Sequence, residues 1–138
     1  LPPVHRETLP GGFALLLVHG SVLSADDAVY PSLTSRGLKT KLGGERPDIF
    51  VCGHTHIPFV RRIGGVLVVN CGSAGHPVDG DPRPAYALLR IAGLGAPSAR
   101  IVRFDYPKGE VLAALAKTPL PKSLSRDYEE GNKRRWMP

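Results

Sequence analysis

Phe13-Ala14-Leu15-Leu16-Leu17-Val18 runs straight into His19-Gly20, and Asp48-Ile49-Phe50-Val51-Cys52 runs straight into Gly53-His54-Thr55-His56. Each is a short, continuous apolar run stopped by glycine and histidine. That is the pattern of a strand buried on both faces in a parallel or mixed sheet. Working outward, Phe59-Val60-Arg61-Arg62-Ile63 and Val66-Leu67-Val68-Val69-Asn70 flank Gly64-Gly65, which predicts a hairpin with a two-residue turn. Ala85 to Ile91 and Ala99 to Phe104 read as two further strands, joined through Gly93 to Pro97 as a second hairpin. Ser24-Ala25-Asp26-Asp27 offers capping chemistry and Pro31 interrupts it. The stretch up to Leu42 therefore predicts one short helix after an irregular turn, ended by Gly43-Gly44. Residues 1–12 read as an irregular lead-in. After Gly109 the apolar residues Val111, Leu112, Leu115 and Ala116 form a helical stripe ended by Thr118-Pro119, and Ser123 caps a last helix from Leu124 to Glu130. The fold class is α/β: a mixed sheet, peripheral helices and a helical tail. The chain is expected to be a single domain or part-domain, with the sheet region at 13–108 and the tail at 109–138.

Composition narrows the function. The hydrophobic fraction of 42% supports a packed core and excludes wholesale disorder. The 16 glycines and 14 prolines make the chain loop-rich without a collagen period. No apolar run approaches the roughly 20 residues that a membrane helix needs, so no membrane span is expected. Leu1-Pro2-Pro3-Val4-His5 lacks an initiating Met and the layout of a signal peptide, as in a fragment or a processed product. Cys52 and Cys71 are too few for a disulfide framework and read as buried free thiols of a cytoplasmic protein, with one disulfide as the alternative. The net charge of +6 is densest at Lys133-Arg134-Arg135, beside the only tryptophan, Trp136. That run is read as a solvated terminus or as a phosphate-attracting surface, and no aromatic ladder for single-stranded nucleic acid accompanies it.

Chemistry gathers where the two buried strands end. In open α/β sheets, functional groups collect in loops beyond the carboxyl ends of the strands. His19, His54 and His56 all fall there. In an extended segment, residues i and i+2 point to one side, so His54 and His56 are expected to present both rings together. Imidazole is the commonest protein metal ligand, and this spacing favours a metal over acid–base work. The competing reading makes these histidines hydrogen-bonded loop residues.

Val18-His19-Gly20-Ser21, then Gly53-His54-Thr55-His56-Ile57-Pro58-Phe59, then Asn70-Cys71-Gly72-Ser73-Ala74-Gly75, resembles in order the C-terminal half of a calcineurin-like metallophosphoesterase. The nearest branch is the small bacterial phosphodiesterases and diadenosine tetraphosphatase-like enzymes. Asp79-Gly80-Asp81-Pro82-Arg83-Pro84-Ala85-Tyr86-Ala87-Leu88-Leu89, Phe104-Asp105-Tyr106 and Leu120-Pro121 fit it too, so the likeness covers about residues 13–131. It implies a two-sheet α/β sandwich with helices outside. It also implies two divalent ions about 3.5–4 Å apart that clamp a phosphate and activate the attacking water. By this resemblance His19 and His54 hold one ion and His56 the other, the metal being Mn, Ni, Fe, Zn or Mg. Asn70 and Ser73 shape the loop under the site or touch substrate, and His76 is either a surface residue or a phosphate contact. Arg83 either pairs with substrate phosphate or forms an ion pair with Asp79 or Asp81.

The chain departs from the family in one respect. The family's Asp-x-His, Gly-Asp and Asn-His elements, which supply the remaining ligands and the histidine that assists the leaving group, are not found. The resemblance thus implies a divalent-metal phosphoesterase acting on phosphomonoesters, phosphodiesters or dinucleoside polyphosphates, with only the C-terminal part of the dimetal site in this chain. The alternative is a catalytically silent metal-binding or interaction module of the same fold. The expected partners are a phosphate-ester substrate and an N-terminal segment or another chain that completes the site. A second copy of the chain is an open alternative, and nucleic acid is expected only as a substrate.

Overall fold

The computed structural model describes residues 3–91 and 95–131. The Lys133-Arg134-Arg135 run, Trp136 and part of the proposed tail lie outside the described residues. The chain order is β1 (Val4–Thr8), β2 (Ala14–Val18), α1 (Ser35–Leu42), β3 (Ile49–Cys52), β4 (Phe59–Ile63), β5 (Val66–Asn70), β6 (Ala85–Arg90), β7 (Ser98–Arg103), α2 (Lys108–Leu115) and α3 (Ser123–Glu130). Five strands form one mixed sheet in the order β1-β2-β3-β5-β4, and β6 and β7 pair as a second sheet. The α/β fold class stands, with helices at the periphery.

Each of β2, β3 and β5 runs parallel to its neighbour, Leu16 against Phe50 and Phe50 against Val68. Their alternating side chains build two cores, as the two-residue period of a strand requires. Leu16, Val18, Phe50, Cys52 and Val68 face α1, whose Leu38 and Leu42 are buried one turn apart, and Val29 joins them. Leu15, Ile49, Val51, Leu67 and Val69 face the small sheet, against Ala87, Leu89 and Ala99. Ile49 and Phe50 have no exposed surface, and burying each side chain contributes about 1.5–3 kcal/mol. This explains why a fully apolar run reads as a central strand. β2 differs in one place: Leu17 remains 44% exposed, where the small sheet does not cover the face it shares with Leu15.

Helix α1 starts later than the capping chemistry at Ser24 suggests. Thr34 is its N-cap and accepts the Gly37 N–H at 3.2 Å; Gly43, left-handed at φ 56°, closes it. Ser24 instead caps a turn, accepting the Asp26 N–H at 3.1 Å. The hairpin of β4 and β5 turns at Gly64-Gly65, as its sequence predicts.

Residues 1–12 are not an irregular lead-in throughout. Val4–Thr8 is an antiparallel edge strand on β2, with His5 opposite Leu17. It is polar and almost wholly exposed, so it carries no apolar signal. Backbone pairing to β2 and the exposed ion pair of Arg6 with Glu45 at 2.6 Å hold it. Among the described residues, no helix is long and apolar enough to cross a membrane.

Candidate functional site

Because β2, β3 and β5 are parallel, their carboxyl ends meet at one sheet edge. The chain beyond each end is held by its neighbour: Gly53 N–H donates to the His19 carbonyl at 2.8 Å and Cys71 N–H to the Cys52 carbonyl at 3.0 Å. Gly20 makes the first exit possible. A Cβ there would lie 2.5 Å from the Ala25 and Asp27 carbonyl oxygens, so only glycine lets the 24–27 turn fold back over His19.

The loop carrying His54 and His56 is not extended. Both residues adopt left-handed backbone, φ 61° and 60°, a region where histidine is enriched among non-glycine residues. The expectation that both rings share one side is thereby corrected. His54 turns to His19, with Nδ1 at 3.4 Å from Nε2 and ring centroids 5.3 Å apart, edge to face. His56 turns to His76, donating from Nδ1 to its backbone carbonyl at 2.7 Å, with the rings 5.6 Å apart.

Asn70, fully buried at the end of β5, holds this loop from below. Its amide donates to the Gly53 carbonyl at 2.8 Å and to Thr55 Oγ1 at 2.9 Å, and its Oδ1 accepts the Gly72 N–H at 2.9 Å. Ser73 Oγ accepts the His76 N–H at 2.8 Å, closing the next loop. His76 is not a simple surface histidine: Nε2 meets Asp127 Oδ2 at 2.9 Å and the ring stacks on Tyr128 with centroids 5.4 Å apart. Arg83 forms a two-pronged ion pair with Asp81, 3.0 Å and 2.7 Å. Its guanidinium holds the Asp81 carboxyl down at about 2. Burial pushes the Cys52 thiol up to about 12 and raises that of Cys71, and both cysteines are free.

A cavity of about 310 Å³ opens beside the loop, lined by Asp26, Ala28, Tyr30, His54, Thr55, His56 and Val78. Tyr30 escapes the sequence reading, and Asp26 enters it only as capping chemistry, because the 24–30 turn reaches this wall only in the fold. Asp127 and Tyr128 escape it because they arrive on α3, with no motif to mark them.

The donor set fits a metal ion in part. Two nitrogens bound to one tetrahedral ion at about 2.0–2.1 Å each stand about 3.4 Å apart, and His19 and His54 show that spacing. The Nδ1–H bond of His56 to a carbonyl leaves the ring's lone pair on Nε2, the arrangement of a metal-binding histidine. Yet among the described residues no three His, Cys, Asp or Glu side chains converge as one ligand set.

A probable metallophosphoesterase of Methanothermobacter thermautotrophicus is 33% identical over 101 residues, covering 67% of this chain and 54% of that protein. The chain thus spans about half the length of the curated relative it matches. The crystal structure of a hypothetical protein from Pyrococcus horikoshii OT3 superposes with a TM-score of 0.78 at 18% identity, covering 97% of this chain and 52% of that one. That of a metallophosphoesterase from Sphaerobacter thermophilus gives 0.73 at 21%, covering 95% and 58%. Both structures show the same fold. Residues 2–93, spanning every histidine of the site, match the calcineurin-like phosphoesterase superfamily domain, and to that superfamily the chain belongs.

Proposed function

We propose that this chain carries the C-terminal part of a divalent-metal phosphoesterase site, with His19 and His54 on one ion and His56 on a second. The observation that carries the reading is the 3.4 Å approach of His54 Nδ1 to His19 Nε2. Nitrogen lone pairs that close repel unless a proton or a cation lies between them, and superfamily members use divalent metals. When bound, the ions supply charge neutralisation at a phosphate ester and an activated water. The chain's own residues prepare the place. Asn70 locks the loop that presents His54 and His56, Gly20 lets the 24–27 turn close over His19, and the His76 carbonyl fixes the tautomer of His56. Arg83 reaches a phosphate only by releasing Asp81. The substrates proposed are phosphomonoesters, phosphodiesters or dinucleoside polyphosphates in the cytoplasm, with an upstream segment or another chain supplying the carboxylates.

The second reading, a catalytically silent metal-binding module, is favoured by the lack of three converging ligands among the described residues. Hydrolysis of bis-p-nitrophenyl phosphate separates the two. The chain alone should show little or no turnover. With the N-terminal half present, turnover should require Mn²⁺ or a similar ion. Continued inactivity of the completed protein with Mn²⁺ supports the silent module. Undiminished turnover after exhaustive chelation overturns the metal reading. A monomeric chain with two tightly bound ions and robust turnover overturns the partial-site reading.

A further inference from the structure

Helix α3 has no place in the chemistry described so far, yet it is docked on the site from two directions. Near its middle, Asp127 Oδ2 meets His76 Nε2 at 2.9 Å and Tyr128 stacks on the same ring at 26° between planes. At its end, Gly131 is left-handed at φ 62° and its carbonyl accepts the Gly80 N–H at 2.5 Å. A Cβ on Gly131 would stand 2.5 Å from the Asp81 carbonyl carbon, so the helix terminus lies flush on the 79–82 loop. His76 and Gly80 are thus both held by one helix. The Asp127 side chain is only 11% exposed, so solvent screens this contact weakly. The other end of the relay is the His76 carbonyl, which receives the His56 Nδ1–H at 2.7 Å.

We propose that α3 is a positioning element of the metal site: Asp127 anchors His76, and the His76 carbonyl sets the tautomer and aim of His56. This rests on the reading of His56 as a metal ligand. Outer partners of a ligating histidine tune its affinity by about 10–100-fold, and here the outer partner is itself held from the C-terminal helix. A merely structural α3 would stabilise the fold without altering His56 in particular.

Nitrogen-15 NMR of the histidine side chains in the full chain tests this, first without metal and then during titration with Zn²⁺ alone. In the native chain His56 should show a protonated Nδ1 and an unprotonated Nε2, with Nε2 shifting as Zn²⁺ is added. Asp127→Ala should mix the two tautomers of His56 and raise the Zn²⁺ concentration that half-shifts Nε2 about tenfold, leaving the His19 and His54 response unchanged. Asp127→Asn keeps an acceptor for His76 and should restore most of the native behaviour. Gly131→Ala, which pushes α3 off the 79–82 loop, should act in the same direction as Asp127→Ala. Unchanged amide shifts in β3 and β5 would show that each variant is folded. If Zn²⁺ shifts His56 equally in the native chain and Asp127→Ala, the positioning role is overturned and the metal reading survives. If the native chain carries the His56 proton on Nε2, or mixes the two tautomers as Asp127→Ala does, the relay falls whatever Zn²⁺ does.

Discussion

Asn70 donates its buried side-chain amide to Thr55 Oγ1 at 2.9 Å, tying the end of β5 to the residue between two histidines. The same amide reaches the Gly53 carbonyl at 2.8 Å. One side chain thereby fixes the start and the middle of the loop after β3.

Asn70→Ala should accordingly remove the loop's support. It leaves the Gly72 N–H without its acceptor and removes one of two partners each from the Gly53 carbonyl and Thr55 Oγ1, which keep the Thr55 and Ile57 N–H groups. An orphaned buried polar group costs about 1–3 kcal/mol and a lost hydrogen bond about 1 kcal/mol. The expected loss is about 3 kcal/mol in urea denaturation. A loss below about 1 kcal/mol would mean that water replaces the amide without penalty.

Gly20→Ala should be at least as damaging, because its new methyl meets backbone oxygens at 2.5–2.7 Å rather than yielding side chains. Overpacking against a fixed backbone costs about 1–3 kcal/mol or more. The expected result is a Tm lower by several degrees and a displaced 24–27 turn. Gly75→Ala is the control, since its Cβ would meet nothing within 4 Å. Equal Tm values for the two variants would contradict the packing argument.

The cysteines should resist alkylation. Burial keeps Cys52 protonated up to about 12, against about 9 for an open thiol, and raises Cys71 as well. Iodoacetamide at pH 8 should label neither at an appreciable rate until urea unfolds the chain. Since the folded thiol holds its proton longer than the unfolded one, its contribution to stability is complete below about pH 9 and falls as pH rises toward about 12. Mass spectrometry after timed labelling reads the first expectation. Rapid native labelling of Cys52 would refute it.

Acid should loosen the 79–83 loop late. The Arg83 guanidinium holds Asp81 at about 2, below the ordinary 3.8. The pair's contribution is therefore complete above about pH 4 and is lost as pH falls toward about 2. Amide chemical shifts of residues 79–83 should move in that window in the native chain. In Arg83→Gln the same movement should begin at higher pH, and an unaltered midpoint would dismiss the ion pair as the cause.

Much of this architecture is legible in the residues themselves. β3 is betrayed by an unbroken apolar run and the β4–β5 hairpin by Gly64-Gly65, since both are local signals of burial and turn. β1 is hidden because an exposed edge strand such as Val4-His5-Arg6-Glu7-Thr8 needs no apolar alternation and is made by pairing alone. The meeting of His19 and His54 follows from parallel strands ending together. The divergence of His54 from His56 does not, because φ values of 61° and 60° depend on what Asn70 and the His76 carbonyl hold in place. The Asp127–His76 contact is invisible for a related reason: it spans 51 positions and exists only because α3 packs on the loop.

The two left-handed histidines bear on how the protein can be engineered. Non-glycine residues in that region carry about 1–2 kcal/mol of steric strain apiece, and glycine would relieve it at 54 and at 56. At His56 the relief is offset by loss of the 2.7 Å bond to the His76 carbonyl. At His54 it competes only with glycine's backbone entropy and a 3.4 Å contact, so a screen that ranks variants by thermal resistance alone will tolerate His54→Gly. Heat-resistant library members can then lack an imidazole on which the proposed chemistry depends, so position 54 should be held fixed whenever the chain is stabilised for use.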